Sequence, residues 1–314
     1  GRFWMRIGTL RHVLWGTAGV RVVWVIAACV GLVVLGEILI VDLLGSLLEK
    51  MGLGAVSGDS PDDWSSALGS VLKRMARVAV VLGGVHLVLR LLAGSSLASI
   101  GLRVTSRTAS HAFLGIGLGF LIEAVSVLLA VTFGWYSVEG FSWEYASVSL
   151  VGAAAFYGVF FAVETAALEE TLFRGLLLQF VRPRSGTVSA VALSSGLFGL
   201  LHFSGFGDEF PWWMSILSAT TVGLLFAQAL LASGTLWVPM GIHFGWHLAA
   251  RLLGSVGVGP GEALLLVTEV RGPALLVSTR SGGAGVFELV GVVLASLVIL
   301  RQRRPVRGAP VHVG

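Results

Sequence analysis

The sequence predicts an all-α protein: a polytopic transmembrane helix bundle of about eight helices, organised as a single membrane-embedded domain over residues 1–314. Three observations predict it. Only 12% of the residues are charged and 55% are hydrophobic, with a mean hydropathy of +0.90, so polar surface is too scarce for a soluble globule of this length. Apolar runs recur along the whole chain at about the 20 residues a helix needs to cross a bilayer. Arginines gather at the ends of these runs. Basic inside loops therefore explain the net charge of +4 better than nucleic-acid binding, which would call for a basic patch interleaved with aromatics.

The candidate spans lie near 22–45, 76–94, 111–133, 148–180, 187–203, 213–232, 235–255 and 285–300. The first is about 25 residues long with no A-x-A site at signal-peptide length, so it reads as a helix that stays in the protein. The fourth is too long for a perpendicular crossing and should tilt or extend past the interface; the fifth is short. "SSLASIGLR" (95–103) reads as a short interfacial piece. "GEALLLVTEVRGPALLVSTRSGGA" (261–284) is broken by charge, Gly and Pro, and reads as a loop or re-entrant segment. The single cysteine, Cys29, excludes a disulfide framework or a cysteine metal site within one chain.

Loop charge sets the orientation. Arg2, Arg6, Arg11, Arg103, Arg107, Arg182, Arg184, Arg301, Arg303, Arg304 and Arg307 fall on one side. "DSPDD" (59–63), Glu139, Glu144, Asp208, Glu209 and Glu262 fall on the other, with Lys73, Arg74, Arg271 and Arg280. Eight spans then leave both termini in the cytoplasm of a prokaryotic cytoplasmic membrane. Trp135, Trp143, Trp212, Trp213 and Trp237 stand near the expected interfaces, as an aromatic belt would.

Against this background "ALEETLFRGLL" (167–177) is out of place. A charge at a helix centre costs about 2.5–3.5 kcal/mol on insertion scales, so such residues face the protein interior or a water cavity. Glu170 and Arg174 are four apart and form a same-face ion pair. Glu169 lies about 100° round the helix and is free to point elsewhere. The structural alternative is a network between helices, the role expected of Glu164; Glu123 could do the same or line the cavity. Arg90 and Glu288 sit near span ends and should snorkel.

Histidines favour chemistry. His202 closes "FGLLH" (198–202), and His243 and His247 share a face in "HFGWH" (243–247). At about 1.5 Å rise per residue, Glu169, His202, His243 and His247 can meet at one depth. A glutamate facing imidazoles in a partly dehydrated cavity can activate water, and the other histidines can donate to an oxyanion. The same four residues could instead bind Zn²⁺. Spacing leaves both open, and neither matches HExxH.

These motifs resemble the CAAX-protease and bacteriocin-processing family of intramembrane proteases, also called the Abi family. Its signature is EExxxR, then FxxxH, then HxxxN. "EETLFR" supplies Glu169, Glu170 and Arg174; "FGLLH" supplies Phe198 and His202; in "HFGWH" His243 fits and His247 stands in the asparagine place. The resemblance spans the helices of 148–255. It implies a membrane endopeptidase acting on membrane-associated peptides or proteins within the lipid bilayer, with no nucleic-acid partner. It implies Glu169 as general base, His202 as its partner and His243 at the oxyanion. Glu170 and Arg174 would hold the site together and Phe198 would orient His202. His247 keeps a donor and adds a metal-type ligand.

Three rivals are weighed. A rhomboid-type serine protease would use Ser195 and His202, but they share one helix and the glutamates are left without purpose. A proton-coupled transporter also uses intramembrane Glu and His, yet no inverted repeat is evident. A non-catalytic immunity or membrane-partner protein of the same family would have a site degenerate at His247.

Overall fold

A computed structural model describes residues 43–53, 61–203, 211–254, 264–273 and 286–301, with scattered positions between 24 and 34. The expected first span lies largely outside these residues. The helices are α1 (Gly45–Lys50), α2 (Trp64–Val88), α3 (Thr108–Thr132), α4 (Ser142–Tyr145), α5 (Val148–Glu170), α6 (Gln179–Leu201), α7 (Trp212–Ser233), α8 (Trp237–Leu253) and α9 (Val286–Arg301). Two short strands, β1 (Tyr136–Phe141) and β2 (Leu266–Val270), pair antiparallel. The chain folds as an all-α membrane bundle with this ribbon at one end.

Among the described residues, four helical rods are long and apolar enough to cross a membrane: Trp64–Ala93, Thr108–Thr132, Val148–Pro183 and Trp212–Ser233. The expected overlong fourth span is there: α5 continues through a π-helical stretch, Thr171–Leu178, into a rod of 36 residues. It ends where Gly186 adopts φ 81°, a left-handed value that glycine tolerates. The chain reverses there, and Ser185–Leu201 forms the short fifth helix. The interfacial piece is a 3₁₀ turn, Leu97–Ile100.

Two expectations need correction. The second helix begins at Trp64, not near 76, so Lys73 and Arg74 are inside it and not in an outer loop. Its start is set by Asp63, whose carboxylate accepts the Ser66 N–H at 2.8 Å while the Ser66 hydroxyl accepts the Asp63 N–H at 3.1 Å. Arg74 is tolerated because its guanidinium donates to Glu164 of α5, which also receives Arg77. The segment 261–284 is not simply a loop: Leu266–Val270 pairs with β1, and the Leu264 N–H donates to the Arg251 carbonyl at 2.8 Å. The ribbon thus rests on the C-terminal end of α8.

α8 is positioned by backbone contact with α3. A Cβ on Gly115 or Gly119 would lie 2.3 Å from the Val238 carbonyl oxygen or 2.0 Å from that of Ile242. One on Gly241 or Gly245 would lie 2.4 Å from the Ala112 oxygen or 2.2 Å from that of Ile116. Small residues let membrane helices approach this closely. Gly241 and Gly245 flank His243 at two-residue spacing, so the imidazole leaves the opposite face of α8. Gly199 does the same for α6, its absent Cβ admitting Thr220 Oγ1 at 2.0 Å.

Candidate functional site

Glu169 and Glu170 close α5 at the point where the winding widens. Glu170 and Arg174 are fully buried, and Arg174 Nη1 donates to Glu170 Oε1 at 3.0 Å. The guanidinium carbon lies 4.3 Å from the ring centroid of Phe198, 5.0 Å from Phe226 and 5.7 Å from Phe173. Three aromatic faces thus replace part of the hydration the cation has lost. Gly223 leaves the room for this: a Cβ there would lie 3.0 Å from Arg174 Nη2 and 3.1 Å from Ser195 Cα.

Glu170 also orients the third motif. His243 Nδ1 donates to Glu170 Oε1 at 3.1 Å, and Phe226 stacks on the His243 ring at 4.9 Å and 23°. His202 is fixed by its own helix, with Nδ1 donating to the Phe198 carbonyl at 2.7 Å. Phe198, 4.4 Å away centroid to centroid, packs against it. A carbonyl or carboxylate oxygen only accepts, so both Nδ1 atoms carry hydrogen. In the neutral rings both Nε2 atoms therefore present lone pairs.

Those lone pairs converge on Glu169. Its Oε2 lies 3.9 Å from His202 Nε2 and 3.9 Å from His243 Nε2, and this buried oxygen has no hydrogen-bond partner among the described residues. Three acceptor atoms therefore surround a gap to which none of the described residues gives a donor. The Glu169 and His202 side chains as wholes keep 28% and 30% exposure, while the Glu169 Oε2 atom itself is buried.

His247, one turn beyond His243, stacks on it at 5.0 Å and 24° and meets the edge of Phe161 at 5.4 Å. The Zn²⁺ set of Glu169, His202, His243 and His247 is a poor fit. Tetrahedral zinc at about 2.1 Å holds neighbouring donors about 3.4 Å apart, closer than the 3.9 Å separations here. Among the described residues, no group of three or more His, Cys, Asp or Glu is disposed to hold a metal ion.

Structure adds residues that sequence reasoning missed. Phe226 carries no signal in an apolar helix, and the Glu170–His243 bond needs the rotation of α8 about its axis. Glu164, expected to bond between helices, does so with Arg74 and Arg77.

The architecture and buried acid–imidazole cluster define an integral membrane protein with a polar centre inside its helices. Residues 151–249, the stretch that carries all three motifs, match the family model described as type II CAAX prenyl endopeptidase Rce1-like. The match covers this stretch alone; it supports membership of the CAAX-protease and bacteriocin-processing family and, at the level of that family, an intramembrane CAAX-type protease. No curated protein and no solved structure matches the chain.

Proposed function

We propose that the protein is an endopeptidase that hydrolyses peptide bonds at or within the membrane with a water held by Glu169 and His202. The observation that carries this reading is the donor-free gap. A water there can give one hydrogen to Glu169 Oε2 and the other to His202 Nε2, leaving its oxygen lone pairs toward a substrate carbonyl. The 3.9 Å separations are too long for a direct hydrogen bond and suit one bridging molecule.

In the reaction the water oxygen bonds to the carbonyl carbon as Glu169 takes a proton. His243, whose Nδ1 is committed to Glu170, presents Nε2 to the reacting carbonyl, and donates to the oxyanion once a proton has been placed there in the reaction. Glu169 then passes its proton to the leaving nitrogen, the C–N bond breaks, and the second water proton passes to His202 and on to solvent, so that a carboxylate and an amine depart. Glu170 and Arg174 act by positioning His243, Phe198 by positioning His202. His247 supports the His243 ring from behind, a packing role that imidazole fills in place of asparagine.

The test is cleavage of a co-expressed membrane-anchored substrate, followed with purified protein in the presence and absence of a chelator. Glu169→Gln should abolish cleavage while the protein stays folded, and EDTA should leave the wild-type rate unchanged. Cleavage by the Gln variant would discard the glutamate assignment; loss on chelation with recovery on zinc would replace it with metal chemistry.

A further inference from the structure

Ser195 is wholly buried in α6, and its hydroxyl has no hydrogen-bond partner among the described residues. His202 follows it by seven residues on the same helix, about 10 Å along the axis, so the hydroxyl is out of reach of that imidazole. Nor does it serve its own helix. Ser126, Thr132, Thr221 and Ser233 each donate to the carbonyl four residues back, at 2.7–2.8 Å. Neighbouring Ser194 crosses to the Phe173 carbonyl at 2.8 Å. Ser195 does neither.

What lies beside it is Arg174. A Cβ on Gly223 of α7 would stand 3.0 Å from Arg174 Nη2 and 3.2 Å from Ser195 Cβ. Both side chains therefore line one point, at which α7 carries no side chain. Arg174 commits Nη1 to Glu170. Its Nε and Nη2 form one edge of the planar guanidinium, a fork of donors, and neither has an acceptor among the described residues. Glu170 Oε2 is likewise buried and without a partner among them.

Buried polar groups are nearly always bonded, and where protein atoms do not serve them an internal water does. Charge decides the kind of guest. The fork calls for an acceptor, but Glu169 and Glu170 already outnumber Arg174, and an anion would add a third negative charge beside them. A neutral water can accept from Nε and Nη2 and give its hydrogens to Ser195 Oγ and Glu170 Oε2, which is within the two to four partners such waters have.

We infer that Arg174 and Ser195 bind one internal water, and that Ser195 is thereby a positioning residue for His243. The effect on rate rests on the peptidase reading above; the water does not. The path is short. The water fixes the plane of the guanidinium, the guanidinium holds Glu170 at 3.0 Å, and Glu170 Oε1 receives His243 Nδ1 at 3.1 Å.

The experiment uses the full chain, ¹⁵N-labelled, in phospholipid nanodiscs. Solid-state NMR follows magnetisation passed from water protons to the Arg174 Nε–H, a signal assigned by its loss in R174K. The backbone N–H groups of Leu225 and Phe226, wholly buried in α7, give the water-free reference. In the wild type the Arg174 signal should build up faster than theirs, and in S195A that advantage should be lost while the His243 Nδ1 resonance shifts. In the cleavage assay S195A should lower kcat about 5-fold, the worth of one hydrogen bond, with KM unchanged. S126A removes a hydroxyl bonded within α3 and should keep the wild-type kcat. A wild-type Arg174 signal as slow as the reference overturns the inference, as does an S195A protein with wild-type kcat and an unmoved His243 resonance. An equal fall of kcat in S195A and S126A marks general loosening and also overturns it. So does a signal present in chloride and absent in gluconate, which would put an anion on the fork. If the wild type cleaves nothing, the peptidase reading falls, and the Arg174 and His243 signals still decide the water and the role of Ser195.

Discussion

Replacing Arg174 by alanine leaves Glu170 charged and wholly buried. The two groups are 3.0 Å apart with neither exposed, and Coulomb's law at an effective dielectric of 20 gives an attraction of about 5 kcal/mol. Breaking a buried pair from one side is known to destabilise by about 3–5 kcal/mol, because the orphaned charge remains, so R174A should lose that much. R174K keeps the charge but gives up planar contact with Phe198, Phe226 and Phe173, each worth about 0.5–2 kcal/mol; it should fall between wild type and R174A. E170Q/R174A removes the orphan charge and should recover part of the loss. Reversible unfolding in mixed micelles, followed by tryptophan fluorescence, measures the series, and peptide cleavage is followed alongside. The ordering follows from Glu170 holding both Arg174 and His243. If R174A unfolds within about 1 kcal/mol of wild type and cleaves normally, Glu170 does not need its partner and the reasoning fails.

Gly119→Val should separate α3 from α8, since even a methyl would stand 2.0 Å from the Ile242 oxygen. We expect a loss at or above the upper end of the roughly 1–3 kcal/mol typical of overpacking, seen as a lower unfolding midpoint. Phe226→Leu removes the ring stacked on His243 but fills similar volume, so kcat should fall about 10-fold or more with the unfolding midpoint shifted only slightly. At the start of α2, the Ser66 N–H, with the Ser65 and Ser66 hydroxyls, holds the Asp63 carboxyl below its ordinary value. A depressed carboxylate pKa contributes stability above the unfolded value that disappears as pH falls through the folded one. The wild-type midpoint should therefore drop more steeply than that of D63N below the usual carboxylate range; parallel curves would refute the cap.

Much of the site was legible because helical geometry is local. Glu170 and Arg174 pair as their four-residue spacing requires, and depth counted at 1.5 Å per residue brings Glu169 level with His202 and His243. What escaped was rotational or distant. Nothing in "HFGWH" says that His243 Nδ1 meets Glu170, or that Phe226 lies under its ring. The start of α2 was misplaced because Arg74 and Arg77 depress hydropathy, and the compensating Glu164 stands almost a hundred positions away. The β-ribbon was missed for a similar reason: Leu266–Val270 is a strand only because Tyr136–Phe141 lies beside it.

The wide winding at Thr171–Leu178 bears on how this chain can vary. A π-helical stretch uses more residues per turn than an α-helix, so the part before it and the part after it stand in a phase that depends on its length. Deleting one residue there would force the stretch toward ordinary pitch and change the phase of Glu169 relative to everything downstream. Relatives that keep this chemistry should therefore vary in sequence across the stretch but not in its number of residues.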